Sequence, residues 1–186
     1  MNFLDQVTRQ QRTQIVSLPY RVGLWISESD TSGGEESGAK EMKALASILN
    51  GYTEDVFGSE VVQYVMSETV ARKSEWKEWG KNLDRVPDEC RHVLDMMEER
   101  VDPKELSAFK QHLMEIGEAV ALAFREYGRT MPIKEKLATY AAYYKGKIAA
   151  LLQKRPYRSL QQFLNISATE RYALSTLAKS LGTHYL

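Results

Sequence analysis

The chain carries a single cysteine, Cys90, so an intramolecular disulfide and a multi-thiolate zinc site are both excluded. No stretch approaches the roughly 18 consecutive apolar residues that a membrane-spanning helix needs. Net charge is absent as well: 25 Lys and Arg balance 25 Asp and Glu, so no global field draws the protein toward nucleic acid or a membrane. The first residues, Met1-Asn2-Phe3-Leu4-Asp5-Gln6, lack a basic region followed by an apolar run, which argues against a secretory signal and for a cytoplasmic protein. No run alternates apolar and polar residues with a period of two, and no Asn-Gly pair sits between β-branched stretches, so strands and hairpins are not expected. Ser32-Gly33-Gly34 has neither a preceding strand nor a lysine where a phosphate loop requires one. The three histidines, His92, His112 and His184, are scattered along the chain. With Cys90 they suggest no arrangement of nucleophile, base and oxyanion site, so binding rather than catalysis is the expectation.

What is present is a helical pattern. At 186 residues, 43% hydrophobic and 27% charged, the chain is the size of one domain with a real core. It predicts an all-α, single-domain bundle of about seven to nine helices over residues 1–186, with 1–16 a short, mobile N-terminal segment. Ser17-Leu18-Pro19 reads as a helix start, since proline is tolerated in a first turn, and Leu18, Val22, Trp25 and Ile26 share one face up to about Asp30. A second helix carries Met42, Leu45, Ala46 and Leu49 and stops at Asn50-Gly51. From about Ser59 a third buries Val61, Val62, Val65, Met66 and Thr69, then either continues through Trp76 and Trp79 or bends near Lys73-Ser74. Asp84 to Arg100 places Cys90, Val93, Leu94 and Met97 inward. Asp102-Pro103-Lys104-Glu105 opens the clearest helix, with Leu106, Phe109, Leu113, Ile116, Val120 and Phe124 in phase. Pro132 opens another, with Leu137, Tyr140, Ala141, Tyr144, Ile148 and Leu151 as its inner stripe, ended by Arg155-Pro156. Ser167-Ala168-Thr169-Glu170 has capping-box spacing and begins a last helix with Ala173, Leu174, Leu177 and Leu181 inward, closed by Gly182.

Between the first two helices, Glu28-Ser29-Asp30-Thr31-Ser32-Gly33-Gly34-Glu35-Glu36 crowds carboxylates and hydroxyls into one loop. Hard divalent cations such as Ca²⁺ and Mg²⁺ require several converging oxygens, and Glu28, Asp30, Ser32, Glu35 and Glu41 are the candidate ligands. Asp30 and Glu41 have the separation of the first and last ligands of an EF-hand loop. Gly34 and Glu35, however, stand where that loop needs an oxygen side chain and a glycine. The plainer reading of the same acids is helix caps and solvated charge, with Ser32 and Glu35 in capping-box spacing.

A helix ending in an acid, a short glycine-containing loop, a Ser/Thr cap with Glu three residues on, and an Ala/Leu-rich helix occur together from Trp25 to Leu49. A fainter copy runs from Ile166 to Leu181. This unit resembles the TerB-like tellurite-resistance family. The resemblance implies an all-helical bundle with an internal duplication, acting by binding, in a stress-related role and with acids that take a divalent cation. The loop here is longer than a tight Asp-Gly, and the second copy has no acid before its cap.

The neutral total hides an uneven distribution. Residues 1–128 hold 15 Lys and Arg against 23 Asp and Glu, and residues 129–186 hold 10 against 2, so the two parts carry net charges of −8 and +8. Lys134, Lys136, Lys145, Lys147, Lys154, Arg155 and Arg158 are interleaved with Tyr140, Tyr143, Tyr144 and Tyr157. Lys145, Lys147, Lys154, Arg155 and Arg158 are therefore candidates for docking an acidic protein, nucleic acid or anionic lipid. Self-association is a further expectation; attraction between the two oppositely charged parts within the fold, and a solvated basic face over a tyrosine core, are the plain alternatives.

Overall fold

The computed structural model describes residues 3–29, 45–51, 59–123, 133–152, 157 and 168–185, and of 122–123 and 133–142 the backbone alone. All regular structure among these residues is helical. A 3₁₀ turn at Phe3–Gln6 precedes α1 (Arg9–Glu28), and a helical run covers 45–51. Then come α2 (Glu60–Ala71), the one-turn α3 (Trp76–Trp79), α4 (Val86–Glu98), α5 (Pro103–Ala123), α6 (Ile133–Leu152) and α7 (Ala168–Ser180). The all-α expectation holds.

The start of the first helix does not. In place of a break before Ser17, α1 runs unbroken from Arg9, and Pro19 lies in its interior. Thr8 and Gln11 form the capping box that begins it: the Gln11 N–H donates to Thr8 Oγ at 3.2 Å, and the Thr8 N–H to Gln11 Oε1 at 3.0 Å. An interior proline cannot donate to the carbonyl four residues back and strains that turn. The cost is borne because α1 is the central helix, with every residue from Ile15 to Leu24 buried and α2, α4, α5 and α7 packed around it. At the same turn the buried Thr69 hydroxyl of α2 lies 2.6 Å from the Val16 carbonyl and 2.8 Å from its own Val65 carbonyl. A helix apolar on all sides is stable where neighbours cover all sides.

Around α1 the predicted stripes fall into place. Ser59 caps α2 by accepting from the Val62 N–H at 3.1 Å, and Val61, Val62, Val65, Met66 and Thr69 are its buried residues. The helix does bend near Lys73-Ser74, into a 3₁₀ turn and then α3. This sets Trp76 against Tyr20 of α1, stacked at 4.6 Å between centroids, with Trp79 tilted beside it at 6.4 Å. In α4, Cys90, Val93, Leu94 and Met97 point inward, and burial pushes the Cys90 thiol up to about 12, which makes it a small core hydrophobe. In α5, Asp102 Oδ1 accepts from the Lys104 N–H at 2.8 Å, and Leu106, Phe109, Leu113, Ile116 and Val120 are buried. Phe124 lies outside the described residues. A Cβ on Gly117 would sit 3.1 Å from Leu174, 3.2 Å from Leu177 and 3.5 Å from Ile26, so this glycine lets α1, α5 and α7 approach closely. Ala173, Leu174, Leu177 and Leu181 of the last helix are buried as expected, and Gly182, at φ +63°, follows it.

The helix at 133–152 exists as predicted, but its inner stripe is wrong for the described side chains. Tyr144, Ile148 and Leu151 are 53%, 59% and 76% exposed. Tyr143 and Ala150 are the buried ones, and neither belongs to the main core cluster. Helical periodicity identifies an apolar face and leaves open whether a neighbour covers it.

Candidate functional site

Two places concentrate chemistry among the described residues, and the first is centred on Arg21. The residue is almost wholly buried (8% exposed), and its guanidinium lies against the turn between α3 and α4. Nε donates to Glu89 Oε2 at 2.8 Å and Nη2 to Glu89 Oε1 at 3.0 Å, a bidentate pair across from α1 to α4. Nη1 donates to the carbonyls of Trp79 and of Lys81, the latter at 2.9 Å, and Nη2 also to the Asn82 carbonyl at 3.1 Å. All five N–H donors of the guanidinium are thus used. Asn82 adopts a left-handed conformation, φ 53° and ψ 49°, which asparagine tolerates better than most residues. The kink it introduces turns the carbonyls of 79, 81 and 82 toward one point.

A groove of about 540 Å³ opens beside this joint, lined in part by Gln14, Trp79, Asn82, Arg85, Glu89 and His92. Its carboxylates are already engaged: Glu89 with Arg21, Glu78 with Lys81 at 2.6 Å, and Asp88 with Arg91. The arrangement is that of a joint holding α1, α3 and α4 in register. Sequence reasoning missed Arg21, since a lone arginine inside an apolar stretch, Leu18 to Leu24, is the only signal for it.

The second place is α6. Tyr143, Gly146 and Ala150 line the side that turns inward. The Tyr157 ring lies 5.4 Å from that of Tyr143, and its hydroxyl occupies the space that a Cβ on Gly146 would need. The outward side is different. Tyr144, Ile148, Leu151 and Leu152, the last 80% exposed, fall within an arc of about 100° at 3.6 residues per turn. Lys145 and Lys147, both exposed, border that arc on its two sides. Lys147 Nζ also lies 5.8 Å over the Tyr143 ring, within cation–π range. The result is an apolar strip edged by positive charge, on a helix whose described side chains are not part of the main core.

Of the predicted docking residues, Lys145 and Lys147 are thus brought together with an exposed apolar face, and Lys154, Arg155 and Arg158 lie outside the described residues. Of the predicted cation ligands, Glu28 is exposed on the last turn of α1; burial, and to a smaller extent the Glu28 charge, raises the pKa of the Tyr20 phenol. Asp30, Ser32, Glu35 and Glu41 lie outside the described residues. Among the described residues there is no helix long and apolar enough to cross a membrane and no group of three or more potential metal ligands. Comparison with protein-family models, with curated proteins and with solved structures gives no match in any of the three, so the resemblance to TerB-like chains rests on the motif residues alone.

Proposed function

We propose that this protein is a helical interaction module that docks a negatively charged partner through the outward face of α6. One observation carries the reading. Tyr144, Ile148, Leu151 and Leu152 stand exposed side by side, with Lys145 and Lys147 at their edges. Contiguous exposed apolar surface rimmed by polar groups is characteristic of interaction sites, whereas singly scattered apolar residues are not. The lysines steer an acidic partner and fix its register, and the aliphatic side chains supply the affinity on burial. Nucleic acid is the weaker partner, because a phosphate backbone covers lysines and gains nothing from Ile148, Leu151 and Leu152.

The test is site-specific photo-crosslinking in cells of the native source, with p-benzoylphenylalanine in place of Leu151 and, as a control, in place of the exposed Asp95 of α4. Adducts are expected at position 151 that are lost when Lys145→Gln and Lys147→Gln are introduced together. Equal labelling at 151 and 95, or adducts indifferent to the lysines, would remove the basis for this reading.

A further inference from the structure

We propose that the partner surface for α6 is an anionic lipid bilayer, on which the helix lies parallel to the plane with Ile148, Leu151 and Leu152 at the headgroup–acyl boundary. This rests on the preceding reading of α6 as the docking element. A helix bound in that way needs an apolar arc, cations along its borders and too little overall hydrophobicity to span a bilayer, whatever its length. The described side chains of α6, at 143–152, supply the arc and the cations, and the helix is not apolar enough to cross. Its arc of about 100° is wide enough for one face to enter the interface while the opposite face stays on protein. Lys145 and Lys147 lie on opposite borders, where their stems can cover hydrocarbon and their ammonium groups reach phosphate. Tyr144, at 53% exposure, has the amphipathic ring favoured at headgroup level.

Charge supports the same occupant. Between Glu135 and Glu170 the sequence contains no acid, and residues 133–158 carry seven Lys and Arg against one Glu. Residues 1–128, at −8, are repelled by an anionic surface, so the molecule is oriented with its basic part down. A second copy fits poorly. Pairing two α6 faces sets lysines against lysines, and the large exposed hydrophobics elsewhere among the described residues are only Tyr64 and Tyr172. A bilayer offers negative charge and hydrocarbon within one flat surface and asks for no directional hydrogen bonds, of which this face has few to give.

The full chain should be sedimented with phosphatidylcholine vesicles and with vesicles of phosphatidylcholine and phosphatidylglycerol. Binding is expected to the anionic vesicles and to weaken with salt. Each lysine near such a surface changes the partition about fivefold, so Lys145→Gln with Lys147→Gln should weaken it by about 25-fold. Leu151→Ser with Leu152→Ser should weaken it by at least about tenfold with both lysines kept, through lost apolar burial. These side chains are exposed, so circular dichroism should report an unchanged melting temperature. A Tyr144→Trp variant, read by selective comparison with the parent spectrum, should add blue-shifted emission on anionic vesicles. Absence of co-sedimentation, or binding indifferent to the leucine pair, overturns the proposal. If vesicles fail while lysine-dependent protein adducts at position 151 persist, the bilayer is wrong and the docking reading stands. If both fail, both are wrong.

Discussion

Replacing Arg21 by methionine tests whether the buried guanidinium joint holds the bundle together. The substitution keeps much of the side-chain volume and removes five N–H donors, leaving three carbonyls of the 79–82 turn and the Glu89 carboxylate without them. Breaking a fully buried ion pair by removing one member costs about 3–5 kcal/mol. Here the Arg21 side chain is 9% exposed but that of Glu89 is 35% exposed, so water recovers part of the carboxylate's solvation. An expected loss near the low end, about 3 kcal/mol, follows. For a chain of this size each kcal/mol moves the melting temperature by roughly 2–4 °C, which puts the variant roughly 6–12 °C below wild type. Urea unfolding followed by far-ultraviolet circular dichroism should show the lower midpoint with an unchanged slope. Glu89→Gln should cost only about 1 kcal/mol, the worth of one typical hydrogen bond, because the three carbonyls keep their donors. Arg21→Lys should rescue little, since one ammonium cannot serve a carboxylate and three carbonyls spread over a turn. An Arg21→Met protein within about 0.5 kcal/mol of wild type, the range of ordinary surface changes, would refute the joint.

Asn82→Val should destabilise by about 1–2 kcal/mol through its left-handed backbone, and Asn82→Gly should not; equal stability of the valine variant and wild type would count against the strained turn. Thr69→Val removes the hydroxyl beside the buried Val16 carbonyl and should cost about 1–2 kcal/mol, read by the same urea titration. Burial holds the His112 imidazole below its ordinary 6.5, with Glu115 opposing. The unfolded chain therefore takes up the proton first, so this contribution to stability is complete above pH 6.5 and is lost as pH falls through the lower folded-state value. His112→Gln should flatten the decline in melting temperature just below pH 6.5; an unchanged decline would assign it to other groups. Glu75, held below the usual 4.5 by hydrogen bonding to Arg72, acts in a separate, more acidic window.

Fold class, the positions of α2, α4, α5 and α7, and most of their buried faces were legible in the sequence by itself. These are local properties: a cap such as Ser59 or Asp102 satisfies N–H groups within its own first turn, and a stripe such as Leu106, Phe109, Leu113, Ile116 and Val120 follows from 3.6 residues per turn wherever the helix lies. The charge division between the two parts of the chain was equally visible, and with it the candidacy of Lys145 and Lys147. What tertiary structure decided was which group meets which across long sequence separations. Continuity of α1 through Pro19 depends on the helices that enclose it. Glu105, which looked like part of a cap for its own helix, instead accepts from Ser59 Oγ at 2.6 Å and from the Val61 N–H at 3.0 Å, serving the start of α2. Arg21 finds Glu89 and three carbonyls only when the Asn82 turn brings them to one point. On α6 the same logic ran the other way: the pattern marked Tyr144, Ile148 and Leu151 as a face to be covered, and the fold left it open. Whether an apolar face is core or contact surface is a property of its neighbours, which no periodicity encodes.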